Sequence, residues 1–324
     1  MKKFLCVCAL TSVAMTTLAL KKDPDYRLAR KIGAQTRFRV HVLDESGCNV
    51  TNADVNVFMG MNFRPKGYWV NGVTDTNGVV VVEGKTCGDE IEIVASKMGY
   101  YPSVRKLCFA TMGAERAVIG EKWQPFDNEE QMLLRRVRTP LNKNLSGEFV
   151  YTQHLNTWIG FDLEVGDYVA PHGAGRTVDF EVSIDWNGKW IPDYEGMGIR
   201  IRFDGPYSGY YCMPVCLESA FKGPYDADPK AAYKQAALFY EKKAAYAERI
   251  QGLFDRRNCW VVRSRCEVDS LGKLQKANYS LVMSVDFSGK RNGLGGFRII
   301  SLFNSTPNDT NLEPKNDSLL RSGR

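Results

Sequence analysis

The chain has 324 residues, of which 44% are hydrophobic and 25% are charged. This composition excludes an intrinsically disordered chain, and the length is typical of about two domains. The formal net charge is +6, but the basic residues are scattered and no basic run alternates with aromatic residues, so the sequence disfavours a nucleic-acid partner.

The first 19 residues have the pattern of a secretory signal peptide. Lys2 and Lys3 precede an apolar run from Phe4 to Ala14, and a small-residue site at Ala19 follows. The apolar run is too short to cross a bilayer, so we predict cleavage after Ala19, with a single anchoring helix as the alternative. No later segment is apolar for long enough to span a membrane. We therefore expect a secreted, periplasmic or cell-surface protein of bacterial type.

Residues 36–110 have the pattern of a β-sandwich domain. Arg37–Val42 alternates polar and apolar residues, and short apolar segments follow at Val55–Phe58, Val79–Glu83 and Ile91–Val94. Turn residues separate these segments. Short strands at such close spacing predict an antiparallel β-sandwich.

The segment Thr74–Gly78 predicts a tight turn in this domain. The side chain of Asp75 can accept hydrogen bonds from its own turn, Asn77 favours the turn, and Gly78 supplies a positive φ. A calcium ion bound by Asp75 is the alternative. A calcium site needs six or more oxygen ligands, and the acids near Asp75 in the sequence are few. The turn role is therefore favoured.

Several spaced motifs in the same domain resemble one known family. A D-x-x-G turn, an A-D-V-x-V segment, T-D-T-N-G before an apolar strand, and G-D-x-I-x-I followed by G-Y-Y-P-S occur in this order. Residues 37–109 thereby resemble the carboxypeptidase regulatory-like domain family. The resemblance implies a transthyretin-like sandwich of seven strands that serves as an accessory module without catalytic residues. The residues that carry it are Asp44, Gly47, Ala53, Thr74, Asp75, Gly78, Gly88, Gly99 and Tyr100.

The β pattern returns from residue 147 to residue 304. Residues 177–185 alternate cleanly, with Val178 on the predicted core face, and an Asn-Gly pair at 187–188 predicts a hairpin turn. Residues 278–287 form the longest apolar stripe of the chain. We predict a second antiparallel, two-layered β-sandwich, so the fold class is mainly β with two antiparallel sandwich domains.

Three segments depart from this pattern. Residues 111–146 have no regular periodicity and predict a linker between the domains. Residues 228–257 predict one α-helix inserted in the second domain, because Asp228 is a good N-cap and apolar residues recur at helical spacing. Residues 305–324 predict a polar tail that is extended or disordered.

Seven cysteines follow the predicted signal peptide. An exported protein meets an oxidising compartment, so these thiols are expected to form disulfide bonds, with at least one left over because their number is odd. A zinc site made of the four later cysteines is the alternative, but their spacings are irregular for zinc motifs. We predict neither a metal nor a cofactor. The disulfide candidates are Cys48, Cys87, Cys108, Cys212, Cys216, Cys259 and Cys266.

The histidines give little support to a catalytic or metal-binding function. His172 lies in a glycine-containing loop segment and is a candidate general base, but no G-x-S-x-G motif accompanies it. His154 and His172 together lack a metal-binding motif such as H-E-x-x-H.

Paired carboxylates are the main enzymatic alternative, because a glycoside hydrolase needs two acids across a cleft, one protonated and one ionised. The catalytic set in this alternative is Asp193, Glu195 and His172. The sequence alone does not place any two acids at the separation that glycoside hydrolysis requires. The acids of the second domain that are available are Asp162, Glu164, Asp167, Asp193 and Glu195.

Aromatic residues are dense in the second domain, with Trp158 and Tyr211 among them. Aromatic platforms beside Asp, Asn and Arg suit recognition of a polysaccharide or a protein. In the alternative interpretation, these rings pack the core of the domain. The candidate binding residues are Trp186, Trp190, Tyr194, Tyr207 and Tyr210.

These patterns predict an exported, non-catalytic β-sandwich protein. We expect it to act as a cell-surface or periplasmic binding or assembly module for a polysaccharide or a protein. The alternative is a carbohydrate-active hydrolase that uses paired carboxylates of the second domain.

Overall fold

The computed structural model describes residues 23–61, 66–109, 116–186, 197–241, 257–290 and 292–315. β-strands dominate these residues, which confirms the predicted mainly β class. The chain divides into two compact units. The first comprises the described residues up to Val137 together with Glu218–Ala220, and the second comprises Arg138–Leu217 and the described residues from Phe221 onward. Within the described ranges, no helix is long and apolar enough to cross a membrane.

The first unit contains one short helix, α1 (Pro24–Ile32). Ten strands follow it. In chain order they are β1 (Ala34–Asp44), β2 (Asp54–Met61), β3 (Lys66–Val73), β4 (Val79–Thr86), β5 (Glu90–Ser96), β6 (Tyr100–Tyr101), β7 (Ser103–Cys108), β8 (Val118–Ile119), β9 (Lys122–Trp123) and β10 (Asn128–Arg136).

These strands form two sheets. One has the order β6-β10-β1-β9-β8, with β4 also paired to β1, and the other has the order β3-β2-β5-β7. β1 pairs antiparallel with β4 but parallel with β10, so the first sheet is mixed and the prediction of a purely antiparallel domain is wrong here. A parallel pair needs a long crossover connection, and the chain between β1 and β10 passes through the whole second sheet.

The core of the first unit lies between its two sheets. In β1, Phe38, Val40 and Val42 are buried at every second position, as the period of a strand requires. They belong to the same apolar cluster as Val57 of β2 and Ile93 of β5, which come from the other sheet. The four strands predicted from alternation in residues 37–94 all lie within observed strands.

The sequence analysis did not predict α1, although its ends carry helix signals. The Asp23 side chain accepts a hydrogen bond from the backbone N–H of Asp25, Pro24 is the first helical residue, and Gly33 ends the helix with a φ of +84°. Ala29 is buried in the core of the unit, so one face of this short helix packs against the sandwich.

The predicted linker is wrong over residues 118–136, which form β8, β9 and β10. In β10 the side chains of Glu130, Met132 and Leu134 are buried at alternate positions, and the strand pairs with β1 over seven residues. Because the buried residue at position 130 is a charged glutamate, the polarity of the sequence alone does not show this alternation. Arg105 lies 3.7 Å from the Glu130 carboxylate and compensates its charge.

In the described residues, the second unit contains ten strands in two sheets. The sheets have the orders β11-β20-β19-β18-β16 and β13-β12-β14-β15-β17, and every strand pair in them is antiparallel. The strands are β11 (Val150–Thr152), β12 (Ile159–Asp162), β13 (Asp167–Tyr168), β14 (Phe180–Asp185), β15 (Met197–Arg202), β16 (Gly209–Pro214), β17 (Ala236–Glu241), β18 (Asn258–Val268), β19 (Leu274–Gly289) and β20 (Gly295–Asn304).

One apolar cluster joins the two sheets of this unit. Phe161, Phe180 and Phe297 form its centre, with ring centroids 5.2–6.4 Å apart. The alternation predicted for residues 177–185 is confirmed in β14. Val178 is an exception, because it precedes the strand and is exposed rather than buried.

The helix predicted at residues 228–257 is wrong in the part that the structure describes. Ala236–Glu241 is β17, which pairs with β15 over six residues. Asp228 does not cap a helix, because its side chain accepts a hydrogen bond from the N–H of Lys230 within a turn. The remainder of the predicted helix, residues 242–256, lies outside the described residues.

The predicted polar tail contains core residues. Leu312 is fully buried, and its N–H donates to the carbonyl of Tyr225. The buried carboxylate of Glu313 accepts hydrogen bonds from the N–H groups of Arg138 and Thr139, at 2.9 and 2.7 Å. The start of this segment is therefore folded into the second unit, whereas residues 316–324 lie outside the described residues.

Candidate functional site

The outward face of the β13-β12-β14-β15-β17 sheet carries an ordered polar surface around one tryptophan. Trp158 directly precedes β12, and continuation of the β12–β14 register places it opposite Ser183. Ser183 is paired with Arg200, and Arg200 with Leu238. The surface, which we call the Trp158 face, consists of Trp158, Glu181, Ser183, Asp185, Arg200, Arg202 and Leu238.

The ring of Trp158 lies across two guanidinium groups. The Cζ atoms of Arg200 and Arg202 are 5.0 and 4.3 Å from the ring centroid, within the range of cation–π interactions. Because these arginines are two residues apart in β15, both project from the same side of the sheet. Ser183 projects from that side as well but is fully buried, so neighbouring side chains cover it, whereas Trp158 is only half-buried.

Each arginine is paired with a carboxylate on the neighbouring strand. The Nε and Nη2 atoms of Arg200 lie 2.6 and 2.9 Å from the two oxygens of Asp185. Arg202 donates a hydrogen bond to Glu181, and this bond raises the pKa of the Arg202 guanidinium. The two pairs restrain the guanidinium groups on this face.

Two histidines that are distant in sequence lie together elsewhere in the same unit. The rings of His154 and His172 have centroids 4.6 Å apart and an interplanar angle of 74°. Both side chains are exposed. No sequence motif predicts this pair, because the two residues come from separate loops.

The acids Asp162 and Asp179 are engaged by Arg265, whose backbone has a φ of +52°. Its Nη2 lies 3.0 Å from an Asp162 oxygen and its Nε lies 3.0 Å from an Asp179 oxygen. Burial raises the pKa of Asp179 above its ordinary value, although bonds from Arg265 and Ser264 oppose this effect. For Asp162, burial also favours the neutral form, but backbone N–H groups of Arg176 and its neighbour Thr177 outweigh it and lower the pKa.

This arrangement assigns a structural role to the candidate acids that the structure describes. Glu164 also contacts Arg265, at 2.8 Å, and Asp167 accepts hydrogen bonds from the N–H groups of Tyr168 and Ala174. The other two candidates, Asp193 and Glu195, lie outside the described residues. Across the described ranges, no group of three or more histidine, cysteine or acidic residues has the arrangement of a metal site.

No protein-family model matches the chain, and no curated protein matches it. Solved structures with partial similarity include a catechol 1,2-dioxygenase from an Acinetobacter species, with 12% identity, a TM-score of 0.24, and 33% of this chain and 54% of that chain covered. A 3-chlorocatechol 1,2-dioxygenase from Rhodococcus opacus has 12% identity, a TM-score of 0.25, and coverage of 33% and 62%. A chlorocatechol 1,2-dioxygenase from Pseudomonas putida has 11% identity, a TM-score of 0.25, and coverage of 36% and 63%. The chain thus spans less than two thirds of these proteins, and such low similarity says nothing about its activity.

Two of the predicted binding aromatics are core residues. Trp186 is 4% exposed and Tyr210 is 2% exposed, and the Tyr210 ring stacks on Trp260 with centroids 4.0 Å apart. Neither side chain can form a platform for a large ligand, so the alternative interpretation, packing of the core, is correct for both. Trp190 and Tyr194 lie outside the described residues.

Tyr207 and Tyr211 belong to a cluster around the buried Arg263. Arg263 donates hydrogen bonds to the carbonyls of Tyr207 and Pro229, at 2.6 and 2.8 Å, and its Cζ lies 3.8 Å from the Tyr233 ring centroid. Tyr211 makes an edge contact with Tyr233. These bonds hold the loops before β16 and β17 against β18, which is a structural role.

The predicted turn in the first unit is confirmed. The Asp75 carboxylate accepts hydrogen bonds from the N–H groups of Asn77 and Val79, at 2.8 and 2.9 Å. These bonds, led by that of Val79, lower the pKa of Asp75. Gly78 has a φ of +73°. The carboxylate is thus occupied by the backbone of its own turn.

The expected disulfide bonds are not formed among the seven cysteines that the structure describes. Cys87 and Cys259 are buried, whereas Cys48 and Cys212 are exposed. Partial burial raises the pKa of the Cys266 thiol, so this thiol does not have the lowered pKa of a reactive cysteine.

Proposed function

We propose that this chain is an exported, non-catalytic binding protein whose second unit binds a polysaccharide at the Trp158 face. The supporting observation is the half-buried Trp158 ring lying across Arg200 and Arg202 on a polar sheet surface. The resemblance of residues 37–109 to an accessory-module family supports a structural role for the first unit. The apolar start of the chain supports export.

The chemistry of the Trp158 face favours a sugar over a protein partner. The apolar side of a sugar ring stacks on an aromatic ring, while its hydroxyl groups can bond to the guanidinium and carboxylate groups around Trp158. A protein interface typically has a broad apolar centre. On this face most groups around Trp158 are charged or polar, with Leu238 as the exposed aliphatic neighbour. The ion pairs already hold the groups in place, which reduces the entropy cost of binding.

The proposal is tested with the full chain by affinity gel electrophoresis in laminarin, xylan, hydroxyethylcellulose and glucomannan. We expect retardation by at least one of them, and an approximately fivefold weaker affinity in Trp158→Ala, because stacking contributes about 1 kcal/mol. Trp69→Ala is the matched control, because Trp69 is 50% exposed but lies in the first unit. If none of the polysaccharides retards the protein, or if both variants behave as the wild type does, the proposal fails.

A reducing-sugar assay on the same four polysaccharides tests the non-catalytic part of the proposal. Asp162 and Asp179 are bound by Arg265 and by backbone N–H groups, so we expect no product. Release of sugars by the wild type that is lost in Glu195→Gln would instead establish the hydrolase alternative.

A further inference from the structure

His154 and His172 are two of the three histidines of the chain, and their rings are in contact on the surface of the second unit. In the part of the chain that the structure describes, no carboxylate forms an ion pair with either ring, in contrast to His41, which lies 3.6 Å from Glu129. An imidazole nitrogen that carries no proton can bind a metal ion.

The backbone at His154 is fixed by a turn. The N–H of His154 donates to the Thr152 hydroxyl at 3.0 Å. Two residues later, Asn156 has a φ of +57° and donates its N–H to the carbonyl of Ile184 at 2.9 Å. The Asn156 side chain also exchanges two hydrogen bonds with the backbone of Trp186. The backbone at His154 is thus restrained by the end of β14.

The backbone at His172 is fixed by a closed loop between β13 and β14. The His172 N–H donates to the carbonyl of Val169, and Gly175 donates to the carbonyl of Tyr168, at 3.1 and 2.8 Å. The Asp167 carboxylate accepts a hydrogen bond from Ala174. The loop is packed so closely that a Cβ atom at residue 173 would lie 2.6 Å from Asp167 Oδ1. Both rings therefore project from restrained backbones.

We propose that His154 and His172 together bind one divalent transition-metal ion, with water molecules as its other ligands. Imidazole is a preferred ligand of Cu²⁺, Zn²⁺ and Ni²⁺. Metal–nitrogen bonds of about 2.0–2.1 Å bring the two nitrogens roughly 3.3 Å apart. A separation of 4.6 Å between the ring centroids is short enough for one ion to bind a nitrogen of each ring, provided that the side chains rotate out of their T-shaped contact. This site is independent of the Trp158 face and of the function proposed for it.

The first test is proton NMR of the full chain, purified without a histidine tag and titrated with ZnCl₂. Because the chain has three histidines, their ring C–H signals can be assigned with single alanine variants. We expect the signals of His154 and His172 to shift together and that of His41 to stay. MgCl₂, which prefers oxygen ligands, should shift none of them. No shift of either signal, or an equal shift of all three, would overturn the proposal.

The second test is calorimetric titration with NiCl₂. We expect the wild type to bind one ion, and His154→Ala and His172→Ala each to weaken binding by about tenfold or more, because a two-point chelate becomes a single imidazole. His41→Ala is the control and should bind as the wild type does. Because both rings are exposed, the variants should keep the thermal midpoint of the wild type, measured by circular dichroism. Wild-type affinity in His172→Ala would refute the site.

Discussion

Replacement of Arg265 by methionine is expected to destabilise the second unit because it leaves two buried carboxylates without their cation. The Asp179 side chain is 0% exposed and that of Asp162 is 2% exposed, while Arg265 itself is 20% exposed. Removal of one partner of a buried ion pair costs about 3–5 kcal/mol. Both carboxylates keep other donors, such as the Leu163 N–H for Asp179 and the Arg176 N–H for Asp162. We therefore expect the lower end, about 3 kcal/mol.

The measurement is urea unfolding of the full chain, followed by tryptophan fluorescence and circular dichroism, together with the thermal midpoint. For a unit of this size, 3 kcal/mol corresponds to a decrease of the midpoint by roughly 6–12 °C. Arg298→Met is the matched control, because the Arg298–Asp286 pair has side chains that are 35% and 41% exposed and such a pair contributes at most about 1 kcal/mol. Equal effects of the two substitutions would refute the reasoning.

The pH dependence of the same variant has a definite sign. Burial raises the pKa of folded Asp179 above that of the unfolded chain, and the bonds from Arg265 oppose this rise. Without Arg265 the folded pKa rises further, so the folded variant gains stability relative to the wild type when Asp179 binds a proton. The difference in unfolding free energy between wild type and variant should therefore shrink from pH 7 to pH 4. A difference that grows on acidification would contradict the assignment.

Two further predictions concern backbone strain and the C-terminal segment. Gly78→Ala should lower the free energy of unfolding by about 2–3 kcal/mol, because a Cβ there would lie 2.8 Å from the Val42 carbonyl oxygen at a φ of +73°. Gly47→Ala, at a residue with a similar φ and open space around it, should lower it by about 1 kcal/mol. Equal thermal midpoints for the two variants would contradict the steric contribution at Gly78. Leu312→Ala should lower the free energy of unfolding by about 2–5 kcal/mol, because the Leu312 side chain is fully buried. Leu271→Ala is the control, because Leu271 is 91% exposed, and it should change the free energy of unfolding by less than about 0.5 kcal/mol.

Local patterns were sufficient to predict several strands and one turn. The alternation in Arg37–Val42 and in residues 278–287 requires only the two-residue period of a strand, and both lie in observed strands. The Asp75 turn also depends on local contacts, because the donors at Asn77 and Val79 are two and four residues away.

Predictions that depended on a distant partner were wrong. Ala236–Glu241 has helical spacing, but the edge of β15 offers it six backbone pairs, and the strand forms instead. β10 carries an inward carboxylate, Glu130, whose charge is compensated by Arg105 from another strand. In both cases the deciding interaction joins residues far apart in the sequence.

The same distinction applies to the candidate sites. The sequence by itself determined the β class, the positions of several strands and the chemistry of the aromatic, acidic and histidine residues. Only the tertiary structure decided which of them are accessible, because burial depends on the strands that cover a side chain. Trp186 and Tyr210 are enclosed in the core. Trp158 is half-buried against two arginines, and the rings of His154 and His172, which come from separate loops, are in contact.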